Sequence, residues 1–320
     1  MNTKHGLTEK ACAYLNKISG IRRVPVSFQR IIILSLLLFS INKVQAQLPE
    51  SIKTEKITFK SEGINLAGTI YKPKESHAGV VLVHGSGQEP RMTDFAELLA
   101  KNGITVLTYD KRGVGESGGV YAGPEVGTNN IDLANLTLLA EDASAAISIL
   151  HKYNKNIAIG LVGGSQAGWI IPIAANKNSS VDFMVLFSCP VITTLEQLRF
   201  QFYTDGKTDF WENHTQEDAR EHIQNDPDRY QFTGTDPNIA LSTLSIPGLW
   251  LFGGKDIQVP VELCIANLNT FKAKGKPFEY VMFSTLGHNT AFTDNTMPVD
   301  ISINWIKQKS LIIKNNKLKK

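Results

Sequence analysis

The chain has 320 residues, 42% of them hydrophobic and 20% charged, with a formal net charge of +3. That length suits one large α/β domain or two small ones, and that much apolar material excludes general disorder. The charge is uneven: residues 1–46 carry Lys4, Lys10, Lys17, Arg22, Arg23, Arg30 and Lys43 against Glu9 alone, a balance of +6, so the remainder sums to −3 and lacks the basic face that nucleic-acid binding needs.

Arg22, Arg23 and Arg30 precede an uncharged run from Ile31 to Ile41, followed by Val44-Gln45-Ala46. The run is about half as long as a membrane-spanning helix, and small residues stand just before Gln47. The sequence therefore predicts a signal peptide over residues 1–46 and export to the periplasm or medium, with no stable membrane insertion after cleavage. An uncleaved N-terminal anchor is the alternative. Cys12 would leave with this segment. Cys189 and Cys264 sit in apolar contexts that suit either one bridge or two buried thiols.

From residue 47 to 320 the pattern is that of one domain. Lys56–Phe59 and Ile64–Tyr71 alternate apolar and polar across Ser61-Glu62-Gly63, which predicts an antiparallel hairpin. Gly79–Val83 is a continuous β-branched run of the kind buried on both faces of a sheet. It turns into His84-Gly85-Ser86-Gly87. A helix with Phe95, Leu98 and Leu99 on its apolar face follows and ends at Asn102-Gly103, and Ile104–Tyr109 is the next buried strand. A long helix is predicted from about Asn130 to Tyr153, then a strand, Ile157–Val162, which runs into Gly163-Gly164-Ser165-Gln166-Ala167-Gly168 and a further helix. Phe183–Phe187, Gly248–Phe252 and Phe278–Phe283 are predicted as later buried strands. Strands interleaved with helices imply an α/β fold with a mostly parallel sheet covered on both faces. Residues 190–245 break the pattern and mix charged residues with Phe200, Phe202, Tyr203, Phe210, Trp211, Tyr230 and Phe232. They predict a helical cap, either a second small core or a lid whose aromatics line an acyl pocket. The basic end, Lys314 to Lys320, is expected to be a solvated tail.

Ser165 lies between a strand and a helix with small residues at positions 163 and 167, the outline of a nucleophile elbow. Ala167 stands where G-x-S-x-G has its last glycine. A serine hydroxyl needs a base, and the base needs an acid to hold its tautomer. Gly253-Gly254-Lys255-Asp256 and Leu286-Gly287-His288 follow two of the later strands, which brings Asp256 and His288 to strand C-termini. Taken alone, the first is also ordinary turn chemistry and the second a loop histidine. Three placements on strand ends favour the triad Ser165, His288, Asp256. Acyl transfer also needs donors for the oxyanion, and the backbone N–H groups of Gln166 and Ser86 are the candidates.

With His84-Gly85-Ser86-Gly87, Tyr109-Asp110-Lys111-Arg112-Gly113-Val114-Gly115-Glu116-Ser117, the elbow, Gly253–Asp256 and Gly287-His288 in place, the chain resembles the α/β-hydrolase superfamily from about residue 56 to 308. The D-x-R-G-x-G-x-S stretch and the cap resemble secreted bacterial esterases and the serine aminopeptidase or dienelactone-hydrolase-like branches. The resemblance implies that Asp110 pairs with Arg112 or caps its own loop. Gly113–Gly118 also satisfies G-x-G-x-x-G, but it does not open into a helix, so no dinucleotide is expected. Neither a metal nor an organic cofactor is implied, and the partners are a small acyl substrate and water. A carboxylic ester is favoured. A thioester, or a peptide whose free amine meets Glu196, Glu212 or Glu217 of the cap, is the alternative, and a non-catalytic binding protein on the same fold is the reading from another class.

Overall fold

The computed structural model describes residues 52–318 except 122, 124–131, 155 and 226–231. The predicted signal peptide, Asn130 and Ile131 at the start of the predicted long helix, and Tyr230 of the predicted cap lie outside the described residues. Eight strands form one sheet: β1 (Lys53–Ser61), β2 (Ile64–Lys72), β3 (Ala78–Val83), β4 (Ile104–Tyr109), β5 (Ala158–Gly164), β6 (Phe183–Phe187), β7 (Gly248–Gly253) and β8 (Phe278–Phe283). Their order is β1-β2-β4-β3-β5-β6-β7-β8. The hairpin β1–β2 and the β2–β4 pair are antiparallel, and every other pair is parallel. This is the α/β-hydrolase fold expected from the sequence.

The helices are α1 (Thr93–Lys101), α2 (Asp132–Tyr153), α3 (Ala167–Lys177), α4 (Thr194–Thr204), α5 (Phe210–Asn213), α6 (Gln216–Asn225), α7 (Pro237–Thr243), α8 (Val261–Ala273) and α9 (Met297–Leu318). The apolar run of β3 is divided between two layers because side chains alternate along a strand. Val81 and Val83 belong to one core with Leu136, Ala143 and Ile147 of α2 and Ile170 and Ile171 of α3. Val80 and Leu82 belong to the other, with Phe95 and Leu99 of α1 and Ile303 and Ile306 of α9. Each fully buried aliphatic or aromatic side chain contributes about 1.5–3 kcal/mol, so these layers hold the strand ends that carry the loops.

Three local expectations change. Leu98 is 42% exposed, because the stripe of α1 that meets the sheet is Phe95, Ala96, Leu99 and Ala100. Strand β8 was expected to be buried, yet Phe278 is its one buried residue, since an edge strand has a neighbour on one side alone. The basic end is helical as far as α9 extends, and Lys317 Nζ lies 2.7 Å from Asp182 Oδ1. Cys189 and Cys264 are free, buried thiols, and burial raises the pKa of both.

Candidate active site

Strand β5 ends at Gly164, and the next residue, Ser165, has φ of +52°. A non-glycine residue in this left-handed region costs roughly 1–2 kcal/mol, so its surroundings must impose it. They do so from both sides. The Ser165 N–H donates to Phe187 O at 3.0 Å, and the Gly168 N–H donates to Ser165 O at 2.9 Å as α3 begins. The turn is tight enough that a Cβ on Gly163 would lie 2.6 Å from Ala167 Cβ and 2.7 Å from Val83 O. The missing side chain at position 163 is therefore what accommodates alanine at 167.

The loops after β7 and β8 bring Asp256 and His288 to this serine. His288 Nε2 is 3.0 Å from Ser165 Oγ, and His288 Nδ1 is 2.8 Å from Asp256 Oδ2. The tautomer that satisfies both bonds has the proton on Nδ1, donated to Asp256, and a free Nε2 lone pair that accepts the serine hydroxyl. Asp256 is 1% exposed, and its second oxygen accepts the N–H groups of Gln258 at 2.7 Å and Val259 at 2.9 Å. These bonds fix the carboxylate plane, leaving Oδ2 for the imidazole.

The cap has a part in this that its sequence did not announce. The Trp211 indole N–H donates to Asp256 O at 2.8 Å, and Thr204 Oγ1 donates to Ile257 O at 2.7 Å. Phe200 and Phe210 form a separate core with Tyr203 and Trp211 packed beside it. The cap aromatics thus brace the loop that carries Asp256, and the residues that line the cavity at Ser165 come from other elements. Met92, Phe187, Ala291 and Phe292 form its apolar wall, Glu89 contributes a carboxylate, and its volume is about 190 Å³. Of the cap's acidic residues, Glu196 closes the capping box of α4 with Thr193, and Glu217 lies beside Arg220.

Gln166 is buried at the start of α3, while Ser86 is exposed on the loop after β3, whose neighbour Gly85 lines the cavity. Among the described residues, no acceptor takes the N–H of either Gln166 or Ser86. That loop is held by a residue the sequence reading passed over. Lys111 is 1% exposed, and its ammonium donates to Gly85 O and Gly87 O. The signal that could have found it is a lysine set two residues behind a strand, Ile104–Tyr109, that reads as buried.

The D-x-R-G-x-G-x-S stretch is a brace. Asp110 accepts the Glu116 N–H, as a loop cap should, but its ion-pair partner is Arg91 rather than Arg112. Arg112 instead pairs with the buried Asp142 of α2, at 2.5 and 3.0 Å. Ser117 Oγ donates to Asp110 O and accepts the Ala67 N–H, which ties the loop to β2.

His84, the first residue after β3, lies edge-on to the Tyr109 ring at 4.8 Å. Burial, and then the Lys111 charge, lower its pKa from 6.5 to about 4. A histidine held neutral in the fold is protonated more readily when unfolded, so its contribution to stability is present above pH 6.5 and is lost as pH falls toward 4. Denaturant unfolding at pH 7 and pH 4.5 should show a loss on the order of 2 kcal/mol from this group. His84→Gln, neutral at both pH values, is expected to lose that part of the pH dependence, and an unchanged dependence would contradict the assignment.

The family described as serine aminopeptidase, S33 (Hydrolase_4) matches residues 74–250, more than half of the chain. The match stops before Asp256 and His288, whose roles therefore rest on geometry. Esterase EstD of Thermotoga maritima is 27% identical over 246 residues, 68% of this chain and 56% of that protein, so the chain spans little more than half of its relative's length. Among solved structures, the Pyrococcus furiosus esterase Pf2001 is similar at a TM-score of 0.58 with 17% identity, covering 81% of this chain and 90% of that one. The Pyrococcus horikoshii acylaminoacyl peptidase is similar at a TM-score of 0.58 with 15% identity, covering 86% of this chain and 42% of that one. At these identities the structures speak to fold alone.

Proposed function

We propose that this chain, which belongs to the serine aminopeptidase (Hydrolase_4) family of α/β hydrolases, is a serine hydrolase that cleaves carboxylic esters through a covalent acyl-enzyme. The observation that carries the proposal is the connected run from Ser165 Oγ through His288 to Asp256, at 3.0 and 2.8 Å, opening on the cavity. Ser165 Oγ attacks the ester carbonyl while His288 Nε2 takes its proton, and Asp256 stabilises the imidazolium that forms. The oxyanion is held by the N–H groups of Gln166 and Ser86 until the alcohol leaves with the proton from His288. A water then gives its proton to His288 as it attacks the acyl carbon, the bond from that carbon to Ser165 Oγ breaks, and Oγ takes the proton back from His288 as the acid leaves.

An ester is favoured over a peptide with a free amine because the cavity's carboxylate is engaged: Glu89 Oε2 accepts the Gly85 N–H at 2.8 Å. The short apolar wall favours small acyl groups. A fluorophosphonate probe is expected to form one adduct, on Ser165, located by peptide mass spectrometry. Of p-nitrophenyl esters, the butyrate should exceed the palmitate in kcat/KM by about 10-fold or more. Labelling elsewhere would refute the assignment, and faster turnover of aminoacyl amides or acyl-CoA thioesters than of esters would replace the substrate class.

A further inference from the structure

An ammonium inside a fold is destabilising unless its donors are used, so the position of a buried lysine shows what it serves. Lys111 follows β4 by two residues and is 1% exposed. Its Nζ donates to Gly85 O at 2.8 Å and to Gly87 O at 2.9 Å, and it reaches Gln166 Oε1 at 3.4 Å. The Tyr121 ring centroid lies 5.7 Å away. One cation thus bridges the loop after β3 and the residue after the nucleophile.

The Gly85 carbonyl and the Ser86 N–H belong to the same planar peptide unit, and in a trans unit they point in opposite directions. Anchoring the oxygen on Lys111 therefore aims the Ser86 N–H away from the ammonium. The charge also polarises that amide, which strengthens it as a donor where little water screens it. On the other flank, the Gly85 N–H is held by Glu89, so the preceding peptide is fixed as well. The Gln166 side chain, drawn toward the same ammonium, ties the second donor's residue to the loop that carries the first.

We propose that Lys111 is a positioning residue of the oxyanion site, holding the Ser86 and Gln166 N–H groups in register with the Ser165 adduct. The proposal rests on the acyl-transfer reading above. If it holds, Lys111 acts on the transition state, where negative charge sits on the former carbonyl oxygen, and hardly on ester binding.

Lys111→Met keeps an unbranched chain of similar length and removes the charge. Active sites are counted by fluorophosphonate titration, and the trifluoromethyl ketone used as inhibitor forms an adduct on Ser165 that carries the oxyanion. In Lys111→Met, kcat per titrated site is expected to fall about 10- to 100-fold with KM within about threefold, and the ketone to weaken by the same factor. A lysine needed for folding alone would lower the titratable fraction and leave kcat per site and ketone affinity at parental values, which would overturn the proposal. Should the methionine variant not fold, Lys111→Gln, which can still donate to one carbonyl, is measured instead, with an expected fall of about 3- to 10-fold. Parental kcat per site in whichever variant folds is the overturning result. A parent enzyme that fails to label on Ser165 removes the acyl-transfer reading and this proposal together, whereas a parent that labels beside unchanged variants removes the role of Lys111 alone.

Discussion

Ser165→Ala is expected to lower kcat/KM for aryl esters by at least about 10,000-fold, because the proposed nucleophile and the proton it would give His288 are lost together. Folding should be little affected: Ser165 Oγ bonds to His288, while the backbone of residue 165 is held by Phe187 O and the Gly168 N–H, neither of which involves the side chain. Ser165→Gly makes a second comparison. Both variants lack the oxygen, so both should be equally inactive, but glycine accepts φ of +52° without the penalty that alanine retains. The glycine variant should therefore be more stable than the alanine variant by about 1 kcal/mol in denaturant unfolding. Measurable ester turnover in either variant, at enzyme free of the parent, would mean that another group is the nucleophile.

Gly253→Ala is expected to harm both stability and activity through one contact. A Cβ on Gly253 would lie 2.0 Å from Gly287 O and 2.5 Å from Leu286 O, and both of these are backbone atoms that cannot rotate away. The two loops are laced at this point: the Gly254 N–H donates to Phe283 O at 2.8 Å, and the Lys255 N–H donates to Leu286 O at 2.8 Å. A methyl group therefore pushes apart the backbones that carry Asp256 and His288. The expected loss is about 3 kcal/mol of stability, the upper range for overpacking. The surviving folded enzyme should lose about 100-fold in kcat, because a shift near 1 Å breaks the Asp256–His288–Ser165 line. An alanine variant with parental unfolding and parental kcat would mean that the loops can separate without moving the triad.

The hairpin, the buried strands and the elbow were legible because each rests on local chemistry. Val80–Val83 can be buried on both sides only in the middle of a sheet, and the small residues around Ser165 permit the turn that exposes it. Leu98 and β8 were misplaced for the same reason as each other. An apolar residue at helical spacing does not reveal which stripe meets the sheet, and an apolar strand does not reveal how many neighbours it has. The cap aromatics posed a similar ambiguity. Phe200, Phe210 and Trp211 read equally as pocket or core until their packing against one another, and the Trp211 bond to Asp256 O, gave them a bracing role.

What the sequence determined by itself was the fold class, together with the placement of Ser165, Asp256 and His288 just after strands, because side-chain chemistry and strand periodicity are written residue by residue. Only the tertiary structure decided that Asp110 meets Arg91, that Arg112 meets Asp142, and that the Lys111 ammonium meets Gly85 O and Gly87 O. These pairings join residues 19 to 30 positions apart on different elements. Partners for a buried charge are chosen by which backbone and side-chain groups the packed layers bring within about 3 Å, and no local pattern encodes that choice.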